Sequence, residues 1–189
     1  MPLSGLTLPV RRWLWAADAP RPTPVERIEP PPEILAASGL DVIDHTDAFV
    51  VSTGKATGER DAEAWARAFL EGAPLRVRLA LLSGWTGLGL RLDPRPGADR
   101  VLGWSVRRRE PDLAIVGAES ILGLQGELVL RRGRDTVTFS TLVRTASPTA
   151  QRVWSRVVGS HLSVVPNVLG LWREVPRAAP ATGEVPARP

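Results

Sequence analysis

The sequence predicts an α+β domain in which a curved antiparallel sheet is closed by a long C-terminal helix. Three observations lead to this prediction. Residues 101–145 alternate apolar and polar side chains with the two-residue period of strands. Short turn signals interrupt this stretch, which is typical of an antiparallel meander. From Ser147 onward the apolar residues change to helical spacing, and a sheet with one dry face is buried most economically against such a helix.

A strand and one or two helices are predicted before the meander. Residues 47–53, DAFVVST, are β-branched and aromatic, and Gly54 follows them. Asp61 is the predicted N-cap of the helix DAEAWARAFLEG, which ends at Gly72. A second helix is predicted after Pro74 and ends near Gly84.

The meander contains four consecutive strand candidates. They read VLGWSVRRRE, LAIVGAES, LQGELVLRR and TVTFSTLVRT. In the last of them Val137, Phe139 and Val143 share one face. We expect the C-terminal helix to pack on that face.

The C-terminal helix has a clear predicted start. Ser147 or Thr149 provides its N-cap, and Pro148 fits the first turn. Pro166 is expected to kink or end the helix. The residues that recur on its apolar face are Val153, Trp154, Val157, Val158, His161 and Val165.

The two ends of the chain differ in composition from its middle. Residues 1–38 are rich in Pro and are predicted to form an irregular arm. Trp13 and Trp15 indicate that part of this arm packs on the domain or on a partner. Residues 39–175 form the predicted domain, and residues 176–189 are predicted to be a disordered tail.

Composition excludes several kinds of functional site. The chain has no Cys, which excludes disulfides, thiolate metal sites and Cys nucleophiles. Its two His residues, His45 and His161, argue against a multi-His metal centre. The sequence therefore predicts no metal and no cofactor.

Nucleic acid is not an expected partner, although the net charge is +4 and all but one of the 24 basic residues are Arg. The basic clusters 107–109 and 131–134 adjoin acidic residues and lack interleaved aromatic side chains, so a solvated rim is the interpretation. Residues 84–89 have the spacing GxxGxG, which is not a nucleotide-binding motif. No secretory signal or membrane span is recognised, so a cytoplasmic bacterial protein is expected.

His161 is the main candidate for chemistry because it lies on the apolar face of the last helix. A neutral imidazole there can bind a ligand oxygen or move a proton. The alternative is a His at the helix edge that bonds to backbone or water. No acidic residue lies between Ser147 and Arg173, which leaves Glu119 and Glu127 as the plausible partners. We expect His161 to lie in an apolar wall without such a partner.

Arg144 is a second candidate, at the end of the last strand. An inward-facing Arg144 paired with Glu119 or Glu127 could anchor a carboxylate or phenolate ligand. The alternative is a cross-strand ion pair on the wet face. Strand alternation places Arg144 opposite Phe139, which favours this alternative.

The order of elements resembles the helix-grip fold of the START/SRPBCC superfamily, which includes polyketide cyclases and lipid-transfer domains. Three stretches are similar to a bacterial domain-of-unknown-function family related to that superfamily. They are residues 44–49 followed by DAEAWARAFLEG, then REPDLAIVGAES, then VTFSTLVRTASPTAQRVWSRVVGSHLSVVP. The resemblance covers roughly residues 40–172 and includes no catalytic signature. It departs from the family pattern at Gly159 and Leu162.

The resemblance implies a protein that binds a hydrophobic small molecule in a cavity between the sheet and the C-terminal helix. Two alternatives stay open: a cyclase- or dehydratase-type enzyme that uses His161 with a cavity carboxylate, and a non-catalytic module that docks through the arm. The oligomeric state is also open. The candidate ligand-binding residues are Trp85, Trp104, Phe139, Trp154, Val157 and His161.

Overall fold

Seven antiparallel strands form one curved sheet in this computed structural model, which describes residues 23–93 and 95–172. The order of the strands across the sheet is β1-β2-β7-β6-β5-β4-β3. The strands are β1 (Val25–Ile28), β2 (His45–Ser52), β3 (Arg100–Val101), β4 (Trp104–Arg109), β5 (Leu113–Glu119), β6 (Leu124–Arg132) and β7 (Thr136–Thr145).

Four α-helices and one 3-10 helix connect or cover the strands of the described part. The helices are α1 (Pro32–Ala37), α2 (Ala62–Leu70), α3 (Leu75–Gly87) and α4 (Pro148–Leu169), and the 3-10 helix spans Gly54–Glu59. Asp61 caps α2 as predicted, since its carboxylate accepts a hydrogen bond from the backbone N–H of Ala64 at 2.7 Å. Helix α3 ends at Gly87, three residues beyond its predicted end.

The predicted meander is confirmed, although a turn at Leu102 and Gly103 divides its first strand candidate into β3 and β4. Strands β4, β5, β6 and β7 are antiparallel neighbours in chain order. The prediction for the C-terminal helix is also confirmed, because α4 contributes Trp154 and Leu169 to the core on the face of Val137 and Phe139. The α+β class follows from these elements.

The opposite face of the sheet carries a smaller core, formed with α1. The side chain of Ile34 is fully buried there against Leu113, Ile115, Val129 and Leu142. The sheet is therefore covered on both faces, whereas the sequence pattern of β7 predicted only one dry face.

The predicted irregular arm is corrected over residues 23–38. Residues Val25–Ile28 form a strand that pairs with β2 at the edge of the sheet, where the prolines that flank it remove no bond of the ladder. Pro32 begins α1, because a proline at the first helical position needs no hydrogen-bonded N–H. Trp13, Trp15 and the predicted tail lie outside the described residues.

Helix α4 starts as predicted and continues further than predicted. The side-chain oxygen of Ser147 accepts a hydrogen bond from the backbone N–H of Ala150 at 3.0 Å, and Pro148 is the first helical residue. Pro166 lies inside the helix, which continues to Leu169. Burial of Val168 and Leu169 stabilises this last turn. This burial offsets the loss of the backbone hydrogen bond that Pro166, which has no N–H, cannot donate.

Ser147→Ala should lower the free energy of unfolding by about 1 kcal/mol, because it removes the N-cap acceptor of α4. The Ser147 hydroxyl also donates to the carbonyl of Leu122 at 2.6 Å, so the same change loosens the β5–β6 turn. Urea denaturation of the variant measures the loss. Ser155→Ala on the exposed face of α4 is the matched control and should cause no loss. An equal loss in both variants would contradict the capping role.

Candidate functional site

A buried carboxylate held by two imidazoles joins the sheet to α4. Oδ2 of Asp47 accepts a hydrogen bond from Nε2 of His45 and another from Nε2 of His161, each at 3.0 Å. The Asp47 side chain is 0% exposed, and each imidazole is 19% exposed. These three residues are called the His–Asp–His cluster below.

Strand geometry explains why His45 and Asp47 come together. Successive side chains of a strand point to opposite faces, so His45, Asp47 and Phe49 share one face of β2. Phe49 belongs to the core that α4 covers. Asp47 therefore lies on the inner face of the sheet, where α4 can bring His161 to its carboxylate.

Trp154 packs against both imidazoles from the same helix. Its ring centroid lies 5.1 Å from that of His45 and 5.3 Å from that of His161. Trp154 and His161 are seven residues apart, which is about two turns and places both side chains on one helix face. The indole thus forms an apolar wall of the His–Asp–His cluster.

The surroundings of Asp47 act on its pKa in opposite directions. Burial raises the pKa, but the hydrogen bonds and positive charge of His161 and His45 together outweigh burial and hold the pKa of Asp47 below its usual value. The carboxylate is therefore ionised at neutral pH and can only accept hydrogen bonds. Each Nε2 must then carry a proton, and Nδ1 of a neutral imidazole is left as a hydrogen-bond acceptor.

Several buried polar atoms at the cluster lack a hydrogen-bond partner among the described residues. Oδ1 of Asp47 is one, and Oγ1 of Thr141 is another. Thr141 is the register partner of Asp47 on β7, so both side chains lie on the same face. Nε1 of Trp154 is a third such atom. A buried acceptor without a donor costs free energy, and a bound group that supplied the donor would remove this cost.

A hollow of about 520 Å³ lies at the edge of the sheet, and Asp47 is the cluster residue that borders it. Strand β1 pairs only with residues 48–51 of β2 and leaves the start of β2 without a neighbour on that side. Asp47 is among the lining residues, which are Arg27, Ile28, Glu29, Pro30, Thr46 and Asp47. The volume falls within the range of small-molecule sites.

The predicted ligand-binding residues fall into two groups within one apolar core. Trp85 and Trp104 pack edge to face, with ring centroids 5.2 Å apart. Trp154 contacts His161 in the second group, as described above. Phe139 is buried in the same core, and Val157 is partly buried against it. Of these six residues, His161 belongs to the cluster, and Trp154 packs on its imidazoles.

The expectation that His161 has no acidic partner is wrong. Its partner is Asp47, which comes from β2 and not from the strands that carry Glu119 and Glu127. The roles of Asp47 and His45 were missed, although a local signal was available. Every second residue of β2 points to the same face of the sheet, and these residues are His45, Asp47, Phe49 and Val51. The sequence alone thus indicates that an apolar strand face contains an acid and an imidazole.

The other candidate residues form ion pairs with residues outside the cluster. Arg144 bonds to Gln125 at 3.3 Å and pairs with Asp41 at 2.9 Å, so it has neither predicted glutamate as partner. Arg107 pairs with both Glu119 and Glu127. This pairing of Arg107 with acidic neighbours agrees with the interpretation of its basic cluster as a rim.

Neither a metal site nor a membrane-spanning helix is found in the part of the chain that the structure describes. Residues 23–93 and 95–172 contain no group of three or more His, Asp or Glu side chains arranged to hold a metal ion. None of the helices in these ranges combines the length and the apolar character that crossing a membrane requires.

Comparison of the chain with family models, curated proteins and solved structures found no match.

Proposed function

We propose that this protein binds a small organic molecule at the His–Asp–His cluster, with an apolar part of the ligand against Trp154 and a polar group at the imidazoles. The observation that carries the proposal is the buried Asp47 carboxylate that accepts hydrogen bonds from both His45 and His161. The proposal includes a helix-grip identity for the fold, in which α4 and the sheet enclose the ligand.

The energetics of the cluster favour a functional role over a structural one. Removing a carboxylate and two imidazoles from water carries a desolvation cost, and apolar side chains of similar volume often give equal or greater stability. The surrounding core is apolar, with Phe49, Phe139 and Val143 on the same face. Polar groups placed at such a cost are more typical of a binding or catalytic site than of a structural core.

The neighbouring hollow supports access for a ligand. Asp47 borders it, and Ile28 and Pro30 supply apolar wall. Such a combination of apolar wall and a few polar groups is typical of small-molecule sites.

Acid–base catalysis of the cyclase or dehydratase type is the second candidate. The hydrogen bond between Asp47 and His161 favours it, because a carboxylate that fixes the tautomer and orientation of an imidazole prepares that ring for proton transfer. In this candidate Nδ1 of His161 or His45 takes the proton from the substrate, and Asp47 stabilises the imidazolium that forms.

His161→Gln should weaken binding about tenfold, equivalent to about 1.4 kcal/mol, because it removes one imidazole from the ligand's polar group. Native mass spectrometry of the purified protein identifies a co-purified molecule, and titration calorimetry with that molecule measures the change. Ser160→Ala, on the exposed side of α4 next to His161, is the matched control.

Three outcomes separate the candidates. Equal affinity in the parent protein and in His161→Gln would contradict binding at the cluster. Turnover that His161→Gln abolishes while binding persists would replace the binder with the enzyme. A ligand whose affinity depends on Trp104 or Trp85 and not on His161 would move the site to the other end of the core.

A further inference from the structure

We propose that the ligand group which reaches Asp47 is a protonated amine carried on an apolar body. This inference rests on the proposed function and names the chemical class of its ligand. It stands on the unpartnered Oδ1 of Asp47, the charges around the hollow, and the groups that lie next to the carboxylate.

Only one of the two carboxylate oxygens of Asp47 has hydrogen-bond donors among the described residues. Oδ2 accepts from two imidazoles, whereas Oδ1 is buried and has no donor in the described part of the chain. An ionised carboxylate accepts hydrogen bonds with both oxygens and cannot donate. A ligand that satisfies Oδ1 must therefore donate a hydrogen bond from an N–H or O–H group. An ammonium group donates a charge-assisted hydrogen bond, which is stronger than a neutral one.

The charged residues that line the hollow differ in their exposure to water. Arg27 and Glu29 have opposite charges, both are exposed at its rim, and water screens their effect on a ligand. Asp47 is the lining residue whose charge is removed from water. Of the charges on the lining residues, the negative charge of Asp47 is thus the one that water does not screen, and it favours a cation.

Thr141 and Trp154 add a hydrogen-bond acceptor and an apolar surface to the surroundings of the cluster. Thr141 lies opposite Asp47 and offers a second buried oxygen without a partner in residues 23–93 and 95–172. An ammonium has three donors, so it can bond to both residues. The indole of Trp154 packs on the imidazoles that hold Asp47 and offers an apolar wall to the body of the ligand.

The same features disfavour a carboxylate ligand. Its negative charge would approach Asp47 in a poorly solvated site, where like charges repel strongly. It would also supply no donor to Oδ1. The structure thus distinguishes an amine from an acid of the same size, and that difference is measurable.

Titration calorimetry at neutral pH with three matched probes tests the inference. The probes are 2-phenylethylammonium, 2-phenylethanol and 3-phenylpropionate, which share an apolar body and differ in the polar group. The parent protein should bind the ammonium at least tenfold more tightly than the carboxylate, with the alcohol between them. This comparison requires no variant, so it does not depend on how a substitution folds.

Asp47→Asn locates the preference. Its amide oxygen can still accept from the imidazoles, which places the amide NH2 at the position of Oδ1, where it faces an ammonium as a second donor. The ammonium should therefore bind at least tenfold more weakly to this variant. Glu26→Gln is the matched control, because Glu26 is an acidic residue of β1 outside the lining of the hollow. The affinity of Glu26→Gln for 2-phenylethylammonium should equal that of the parent protein.

The outcomes distinguish this inference from the proposed function. Tighter binding of 3-phenylpropionate that His161→Gln weakens would overturn the amine and leave a ligand site at the cluster. Ammonium binding that Asp47→Asn leaves unchanged would also overturn the inference. If none of the probes binds and no molecule co-purifies with the protein, both proposals fail together.

Discussion

Trp154→Ala should lower the free energy of unfolding by about 3–5 kcal/mol, the usual range for truncating an aromatic side chain in a core. Trp154 is only 9% exposed and belongs to the main apolar core. Its ring also contacts the imidazoles of His45 and His161. The substitution therefore leaves a cavity and removes one wall of the His–Asp–His cluster. Urea denaturation followed by circular dichroism measures the loss.

Trp85→Ala is the matched control for this prediction. Trp85 contacts Trp104 in the same core but is only partly buried, so its truncation should cost clearly less. A loss below about 1 kcal/mol for Trp154→Ala, which is ordinary for surface substitutions, would show that its side chain faces solvent or a partner. Equal losses of stability in the two variants would show that the depth of burial does not determine how much each tryptophan contributes.

Local periodicity was sufficient to predict most of the fold. The two-residue alternation of Val137, Phe139 and Val143 predicted both β7 and the face that α4 covers, because strand geometry fixes the direction of each side chain. The edge strand β1 was missed because the prolines that flank it argue against a central strand, and a four-residue segment has little pattern of its own. Only pairing with β2 makes it a strand.

The candidate site was harder to predict because its central contact is not local. His161 was recognised from its place on an apolar helix face, yet its partner Asp47 is 114 residues away in sequence. Helix periodicity shows that a face is buried and does not show which strand lies opposite it. The alternation of β2 does place His45 and Asp47 on its apolar face, so the two halves of the cluster were each readable. Their juxtaposition required the packing of α4 on the sheet.

Asp47→Ala should lower the free energy of unfolding at neutral pH by about 2–4 kcal/mol, since it leaves two Nε2–H donors without their acceptor. The loss should depend on pH. Burial raises the pKa of Asp47, but the hydrogen bonds and charge of the imidazoles together outweigh burial and hold this pKa below its unfolded value. A group of this kind contributes stability that is fully present above the unfolded pKa of about 3.9 and is lost as the pH falls through the folded pKa.

The difference in stability between the parent and Asp47→Ala should therefore shrink as the pH falls below about 4. Denaturation in guanidinium at each pH gives this difference. Asp44→Ala is the control, because hydrogen bonds from the backbone and side chain of Thr145 lower the pKa of that exposed carboxyl while water screens its contribution. It should show a smaller difference at every pH. A difference for Asp47→Ala that grows as the pH falls below about 4 would mean that the carboxyl is protonated in the folded protein, and that the imidazoles do not hold it as an ion.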